Sequence, residues 1–202
     1  MARWEPDAEE RLRRAAVELF VERGYDEVTV SDITARAGLT RRSFFRYFPD
    51  KREVLFAGSS QLVNEIERRL DAGGLGESTA GIVIGVLTQA GTILLADRGA
   101  QRRRRAIIAS SPELQERDRA KIARIGSAIA RSMTRRGMNS ADAELHGAIW
   151  AEVFRSAYDR ALSADGSLGF GEYLAKSARA VASFPRDAER YIDDESVAPP
   201  SS

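Results

Sequence analysis

Arg41, Arg42 and Arg46 lie within six positions of one another, interleaved with Phe44, Phe45, Tyr47 and Phe48. At about 100° per residue, a helix that turns Phe44 and Phe48 inward carries Arg42 and Arg46 to its opposite face, one turn apart. Arg41 and Phe45 flank one side of that face, and Ser43 and Tyr47 the other. A guanidinium forks onto the O6 and N7 edge of guanine, and one such pair is worth roughly 1–3 kcal/mol of base discrimination. The three arginines are therefore candidates for reading base edges. Thr40, Tyr47 and Lys51 are candidates for donating to phosphates, together with the first amides of the third and fourth helices. From Arg36 to Arg52 there are six basic residues and one acid, Asp50, although the whole chain has a net charge of only +1. Any affinity for nucleic acid would come from this clustering. Arginines also solvate ordinary surface helices, so the elements around them decide between the two readings.

Those elements read as two short helices joined by a tight turn. Thr29 is placed to cap the first, with Asp32 in its opening turn. Val30, Ile33 and Ala37 form its apolar stripe, and Gly38 ends it. After Leu39, Thr40 caps a helix expected to run from Arg41 to Phe48, and Pro49 stops it. A helix that exposes guanidinium groups and is braced by a preceding helix suits a DNA groove. Upstream, Leu12, Ala15, Ala16, Leu19 and Phe20 recur at helical spacing. Asp7 and Glu10 are spaced as a capping box for that first helix, and Gly24 as its stop. Asp50 and Glu53 suggest a second box, opening a connector helix from about Lys51 to Leu70.

The remainder is also helical in pattern. Residues 72–76, with three glycines, read as a loop. Ser78 to Leu95 is apolar almost all round, which predicts a central, buried helix. An arginine-rich helix follows at about Ala100 to Ala109, then one from Pro112 to Arg136 with Ser111 as cap and proline at its first position. Two more are expected, at Ser140 to Ser163 and Phe170 to Phe184. From Pro185 the composition suggests a frayed tail. The sum is an all-α chain of about nine helices. It divides into a head (residues 1–55), a larger lobe (56–184) joined by the connector at about 51–71, and a tail (185–202).

Composition excludes several chemistries. With no Cys there is no disulfide, thiolate metal site or cysteine nucleophile. The single His, His146, has no second soft ligand, so no metal site is expected. No Gly-rich phosphate loop or distinctive carboxylate pair supports an enzyme, and no cofactor is implied. No apolar run of about 18 residues suggests a membrane span. The first residues lack the apolar core of a signal peptide, so a cytoplasmic location is expected.

The ordered set Gly24-Tyr25, Thr29-Val30, Ile33, Ala37-Gly38-Leu39-Thr40, Phe44 to Phe48 and Lys51 resembles the N-terminal domain of the tetracycline-repressor (TetR) family of bacterial transcription regulators. The resemblance covers about Arg11 to Leu55. It implies a homodimeric repressor that binds a short pseudo-palindromic operator and leaves it when a small apolar or amphipathic effector occupies the lobe. By position, DNA contacts would fall on Thr29, Ser31, Thr40, Arg41, Arg42, Phe45, Arg46, Tyr47 and Lys51. Many members carry Tyr where this chain has Phe45, and a small residue where it has Arg42. The added arginine should extend the reach and favour guanine. The resemblance places dimerisation on the last two long helices, where Ala148, Ala151, Ala157, Ala161, Leu174, Ala178, Val181 and Ala182 are available. The segment from Arg41 to Lys51, with Arg102 to Arg105 and Ser110 to Leu114, also looks like a subgroup with an acyl-CoA-like ligand-binding domain.

His146, Trp150, Phe154 and Tyr158 recur every four residues. They are either plain core packing or one wall of an effector pocket. In the second case Ile84, Leu87, Thr88, Gly91 and Leu95 would face His146, Trp150 and Phe154 across the cavity. Arg102 to Arg105 span a full turn and cannot all face one partner. They read as a solvated connector, as a site for ligand phosphates, or as partners of acids on the fourth or seventh helix. An all-helical enzyme and a protein-binding adaptor are the competing functions. Salt-dependent binding to a defined operator separates a DNA reader from an adaptor.

Overall fold

Leu12, Ala15, Ala16, Leu19 and Phe20 are buried along one side of α1 (Ala8–Arg23), as their spacing requires. The computed structural model describes residues 7–72 and 78–194, and no strand occurs among them. Eight further helices follow: α2 (Val30–Ala37), α3 (Arg41–Tyr47), α4 (Ser59–Ala72), α5 (Thr79–Leu94), α6 (Arg98–Ala109), α7 (Pro112–Arg135), α8 (Ser140–Ser163) and α9 (Phe170–Asp194). Short 3-10 turns occupy Arg52–Phe56 and Leu95–Asp97.

Several local expectations are corrected. Asp7 sits at φ 97° and its side chain caps nothing, while Glu10 pairs with Arg13 one turn on. The connector is not continuous from Lys51. Val54, Leu55 and Phe56 are all buried in the head cluster. A 3-10 turn packs them into the head, Gly58 turns the chain at φ +76°, and only then does α4 begin. Asp50 still accepts from the Glu53 amide (3.0 Å), but the Glu53 carboxylate turns away to Arg117. The last helix runs through Pro185 to Asp194. Proline removes one backbone hydrogen bond, and the residues after it, among them Arg186, Ala188 and Glu189, are good helix formers. Of the loop expected at residues 72–76, Ala72 instead ends α4, while 73–76 and the end of the tail, 195–202, fall outside the described residues.

Two hydrophobic clusters divide the molecule. The head cluster joins α1, α2 and α3 through Leu12, Phe20, Ile33, Phe44 and Phe48 and also takes in Ile107, Ile108 and Leu114 from the lobe helices. The lobe cluster gathers Val63, Ile66 and Leu70 of α4, Leu87 of α5, Ile125 and Ile129 of α7, Phe154 of α8 and Leu174 of α9. α5 is less enclosed than its composition suggested. Ile82, Val83, Val86, Leu87 and Ala90 are buried, but Ile84 and Ile93 are exposed. The stretch Thr79–Ala109 is long and apolar enough to cross a bilayer by length and composition. Its buried face nevertheless packs on α4, α8 and α9, and its second half carries Arg102 to Arg105.

α7 and α8 make the most extensive helix pair, and two glycines set their separation. Gly126 and Gly147 face each other so closely that a Cβ on Gly147 would collide with the Gly126 carbonyl oxygen. Backbone cannot yield as a side chain can. Gly147→Ala should therefore destabilise the protein by about 1–3 kcal/mol, the usual cost of overpacking, read as a lowered midpoint in urea unfolding. Gly85→Ala, where nothing lies within 4 Å, is the control and should be neutral or slightly stabilising.

Candidate nucleic-acid interface

The α2–turn–α3 unit is held by caps at both helix starts. The Thr29 hydroxyl accepts from the Asp32 amide (3.2 Å) and donates to the Asp32 carboxylate (2.5 Å), which also takes the Thr29 amide (2.8 Å). These bonds, with Arg23 beside them, hold the Asp32 carboxyl well below its usual value, at about 2. Gly38 turns the chain at φ +65°, a left-handed conformation that suits glycine. Thr40 then caps α3 by accepting from the Ser43 amide (3.1 Å). α3 stops at Tyr47, because Phe48 precedes proline and is extended at φ −131°.

Phe44 and Phe48 are sunk in the head core, with ring centroids 5.4 Å apart. Arg41, Arg42, Phe45 and Arg46 are exposed on the remaining surface. Arg42 has no hydrogen-bond or ion-pair partner among the described residues. Arg41 lies 3.4 Å from the exposed Ser31 hydroxyl. The Arg46 guanidinium folds over the Tyr47 ring at 4.6 Å and donates to its hydroxyl. Phe45 is half exposed and packs edge-on against Phe44 (5.5 Å). It offers an apolar edge of the kind that meets a thymine methyl.

The other basic residues of the segment are occupied. Arg36 grips Glu22 through two nitrogens (3.0 and 2.8 Å), bracing α2 on α1. Arg52 joins Asp50 (3.0 Å) and Glu113 (3.2 Å). Lys51, expected on phosphate, points inward. Its ammonium donates to the carbonyls of Tyr25 (2.8 Å), Val28 (2.9 Å) and Asp26 (3.3 Å), and lies 4.2 Å from the Tyr25 ring centre. Three donors meet three acceptors, so Lys51 fixes the loop between α1 and α2. The buried Tyr25 hydroxyl, its pKa raised by burial and by Glu113, donates to Glu113 (3.3 Å).

None of the eight residues expected around an effector pocket lines the groove along α7 and α8 or the recess between α8 and α9. Gly91 is covered by the Phe170 ring, into which a Cβ would collide. That ring stacks edge-on with Phe154 at 5.6 Å. Leu87, Leu95 and Phe154 are core residues, Thr88 and Trp150 are half-buried, and Ile84 and His146 face solvent. Phe170, eight residues beyond Leu162, carried no periodic signal that aimed it there. The large open space instead runs along α7 and α8 as a groove of about 1370 Å³, floored by Ile122, Gly126, Ala130 and Ala151 and rimmed by Arg119 and Arg155.

The arginine run divides its work. Arg102 donates to the carbonyls of Leu162 and Ala164 (both 2.8 Å). Arg105 bridges Asp118 (2.6 Å) and Asp159 (3.1 Å). Arg104 reaches back to the head, donating to the Leu55 carbonyl (2.6 Å) with its guanidinium 5.1 Å from the Phe56 ring centre. Arg117 covers the same ring at 4.9 Å and grips Glu53 through both oxygens (2.6 and 2.9 Å). Pairing with an acid of α7 was among the sequence-level alternatives for this run.

A capped helix-turn-helix with an arginine face, seated on a larger helical lobe, has the geometry of a head that enters a DNA groove. Residues 12–57 match the family model for bacterial regulatory proteins of the tetR family. Over 56 residues the chain is 36% identical to the transcriptional regulator named MftR of Mycobacterium tuberculosis, and over 64 residues 31% identical to the HTH-type regulator Rv2250c of the same species. These matches cover 28% and 32% of this chain and 28% and 34% of the relatives' own lengths. Across the whole fold, NalD of Pseudomonas aeruginosa superposes with a TM-score of 0.61 at 18% identity, covering 86% of this chain and 96% of that one. A transcriptional regulator of P. aeruginosa PAO1 reaches 0.64 at 14% identity, covering 94% and 96%. The head thus matches the tetR family model, the relatives matched over it are transcriptional regulators, and the chain as a whole shares its fold with these solved structures.

Lys51→Ala should strip three carbonyls of their donor and leave the α1–α2 loop unbraced, costing about 1–3 kcal/mol. Hydrogen exchange at the amides of residues 25–28 and the urea midpoint are the measurements. A normal midpoint with weakened DNA binding would return Lys51 to the phosphate contacts first expected of it.

Proposed function

We propose that this protein is a transcriptional repressor that binds a pseudo-palindromic operator as a homodimer and is released by a small apolar or amphipathic effector. The observation that carries this reading is the exposed Arg41, Arg42, Arg46 face of α3, with Arg42 free of any partner among the described residues while the neighbouring cations are tied down. Arg42 and Arg46 would read guanines, and Phe45 a thymine methyl. Thr29, Ser31, Thr40 and Tyr47, together with the first amides of α3, would fix the register on phosphates. Two heads would sit one helical turn apart, about 34 Å.

The dimer would form through α8 and α9, on residues partly different from those first considered. Ala151, Ala157, Ala161 and Leu174 are buried in the protomer's own core. The outward apolar side chains are Leu145 and Val181, with the half-buried Ile149 and exposed Ala148 between them. A shallow recess of about 370 Å³ between Ser156 of α8 and Ala180 and Val181 of α9 continues this face. SmeT, which shares the fold at a TM-score of 0.56 and 21% identity, has been solved with triclosan, which accords with a small apolar effector.

Selection of tight-binding fragments from a random DNA pool should yield a two-fold symmetric site. On that site Arg42→Ala should weaken binding about tenfold to a hundredfold and relax preference at one position per half-site, measured by fluorescence anisotropy. Unchanged affinity would remove α3 from the groove. Val181→Arg should give a monomer by light scattering and lose the symmetric site while keeping the fold by circular dichroism.

A further inference from the structure

A seam of charge separates the two hydrophobic cores. The head core reaches α7 at Leu114, and the lobe core resumes on it at Ile125. Between these positions lie Arg117, Asp118 and Lys121, faced by Arg104 and Arg105 of α6, Asp159 of α8 and Glu53 of the 3-10 turn. Glu53 is taken by Arg117 through both oxygens. Asp118 is taken by Arg105, and Asp159 by Arg105 and Arg155. Arg104 has given its Nε to Leu55. Its buried Nη2 has no hydrogen-bond partner and stands 4.0 Å from the nearest Asp118 oxygen. Lys121 is 8% exposed and has no hydrogen bond or ion pair among the described residues. Each carboxylate of the seam is thus already held by an arginine other than Arg104. The two cations without a proper partner, Arg104 and Lys121, act directly on each other.

A buried, unpaired charge is costly. The lysine responds accordingly. Burial, followed by the nearby Arg104, lowers its pKa to about 8, with Arg105 and Arg117 adding to the effect and Asp118 opposing it. The neighbouring Tyr158 phenol has its pKa raised by burial and donates to Gln101 (2.8 Å). It supplies no negative charge.

We propose that this seam is an anion subsite, in which a single carboxylate of an amphipathic effector seats between Lys121 Nζ and Arg104 Nη2. Lys121 and Arg104 Nη2 are left for one anion, and a monocarboxylate adds less charge than a dianionic phosphate to a seam that already holds Glu53, Asp118 and Asp159. Ile108 and Ile122, which line the groove beside Arg105 and Asp118, supply apolar surroundings for a hydrocarbon tail. The position also gives the ligand a route to the head, because Arg104 holds the Leu55 carbonyl and shares the Phe56 ring with Arg117. This inference rests on the lobe being a sensor. It is tested without DNA, so its failure leaves the operator reading intact.

The experiment is calorimetric titration of the full chain with decanoate, with decanol as the matched uncharged probe, and with inorganic phosphate. Decanoate should bind at least tenfold more tightly than decanol at pH 7, and Lys121→Met should remove the difference. A lysine that must be charged to hold the anion loses its proton as pH rises. Decanoate affinity in the unaltered protein should therefore fall above about pH 8, while decanol binding stays level. That pH series decides the matter if the variant does not fold. Equal binding of decanoate and decanol, a preference that survives Lys121→Met, or no binding of decanoate would overturn the proposal. Lys121-dependent binding of inorganic phosphate as tight as that of decanoate would overturn the carboxylate assignment.

Discussion

The burial of Phe44 and Phe48 is the constraint on which the head depends. Both rings lie in the core shared by α1, α2 and α3, and their positions leave one rotation of α3 about its own axis. That rotation turns Arg41, Arg42, Phe45 and Arg46 outward. A helix of seven residues has little stability alone. Its shape comes from the Thr40 cap, the Gly38 turn and these two rings, so the arginine face is a product of packing rather than of helix propensity.

The head is joined to the lobe by charged groups laid over an aromatic ring. Phe56 sits at the end of the head, with the guanidinium groups of Arg104 and Arg117 over it and Glu53 gripped beside it. Tyr25 and Arg52 add contacts to Glu113 at the start of α7. Exposed ion pairs contribute little, but these are partly buried and converge on one turn. A displacement of α6 or α7 is therefore felt at residues 52–56 as well as at α1, on which α6 packs directly.

The sequence was most legible where local chemistry acts alone. Thr29, Gly38, Thr40 and Pro49 mark the helix ends, and the spacing of Phe44 and Phe48 orients α3. It was least legible where distant segments meet. Nothing near Lys51 indicates that its ammonium is occupied by carbonyls more than twenty residues earlier. The apolar run of α5 gave no sign that Ile84 and Ile93 would stay exposed, and Gly91 looked like room for a ligand until Phe170 was seen to fill it. The small residues of α8 suggested a dimer face, yet Ala151, Ala157 and Ala161 serve the protomer's own core. Lys121 was discoverable in principle. It shares a helix face with Leu114, Ile125 and Ala128, and a lysine on such a stripe is an anomaly that periodicity alone can flag.

The meeting of Gly126 with Gly147 has a mechanical consequence. Two long helices in backbone contact, without intervening side chains to deform, cannot slide past each other and behave as a stiff girder. Compliance must then lie elsewhere along the path to the head. The chain offers it at Gly58, where a positive φ and a change of helix type coincide. The girder is thus a fixed frame to which α4 is itself bonded, through Glu67 with Arg131 and the Leu70 carbonyl with Arg136, and α4 joins the head through a single glycine turn.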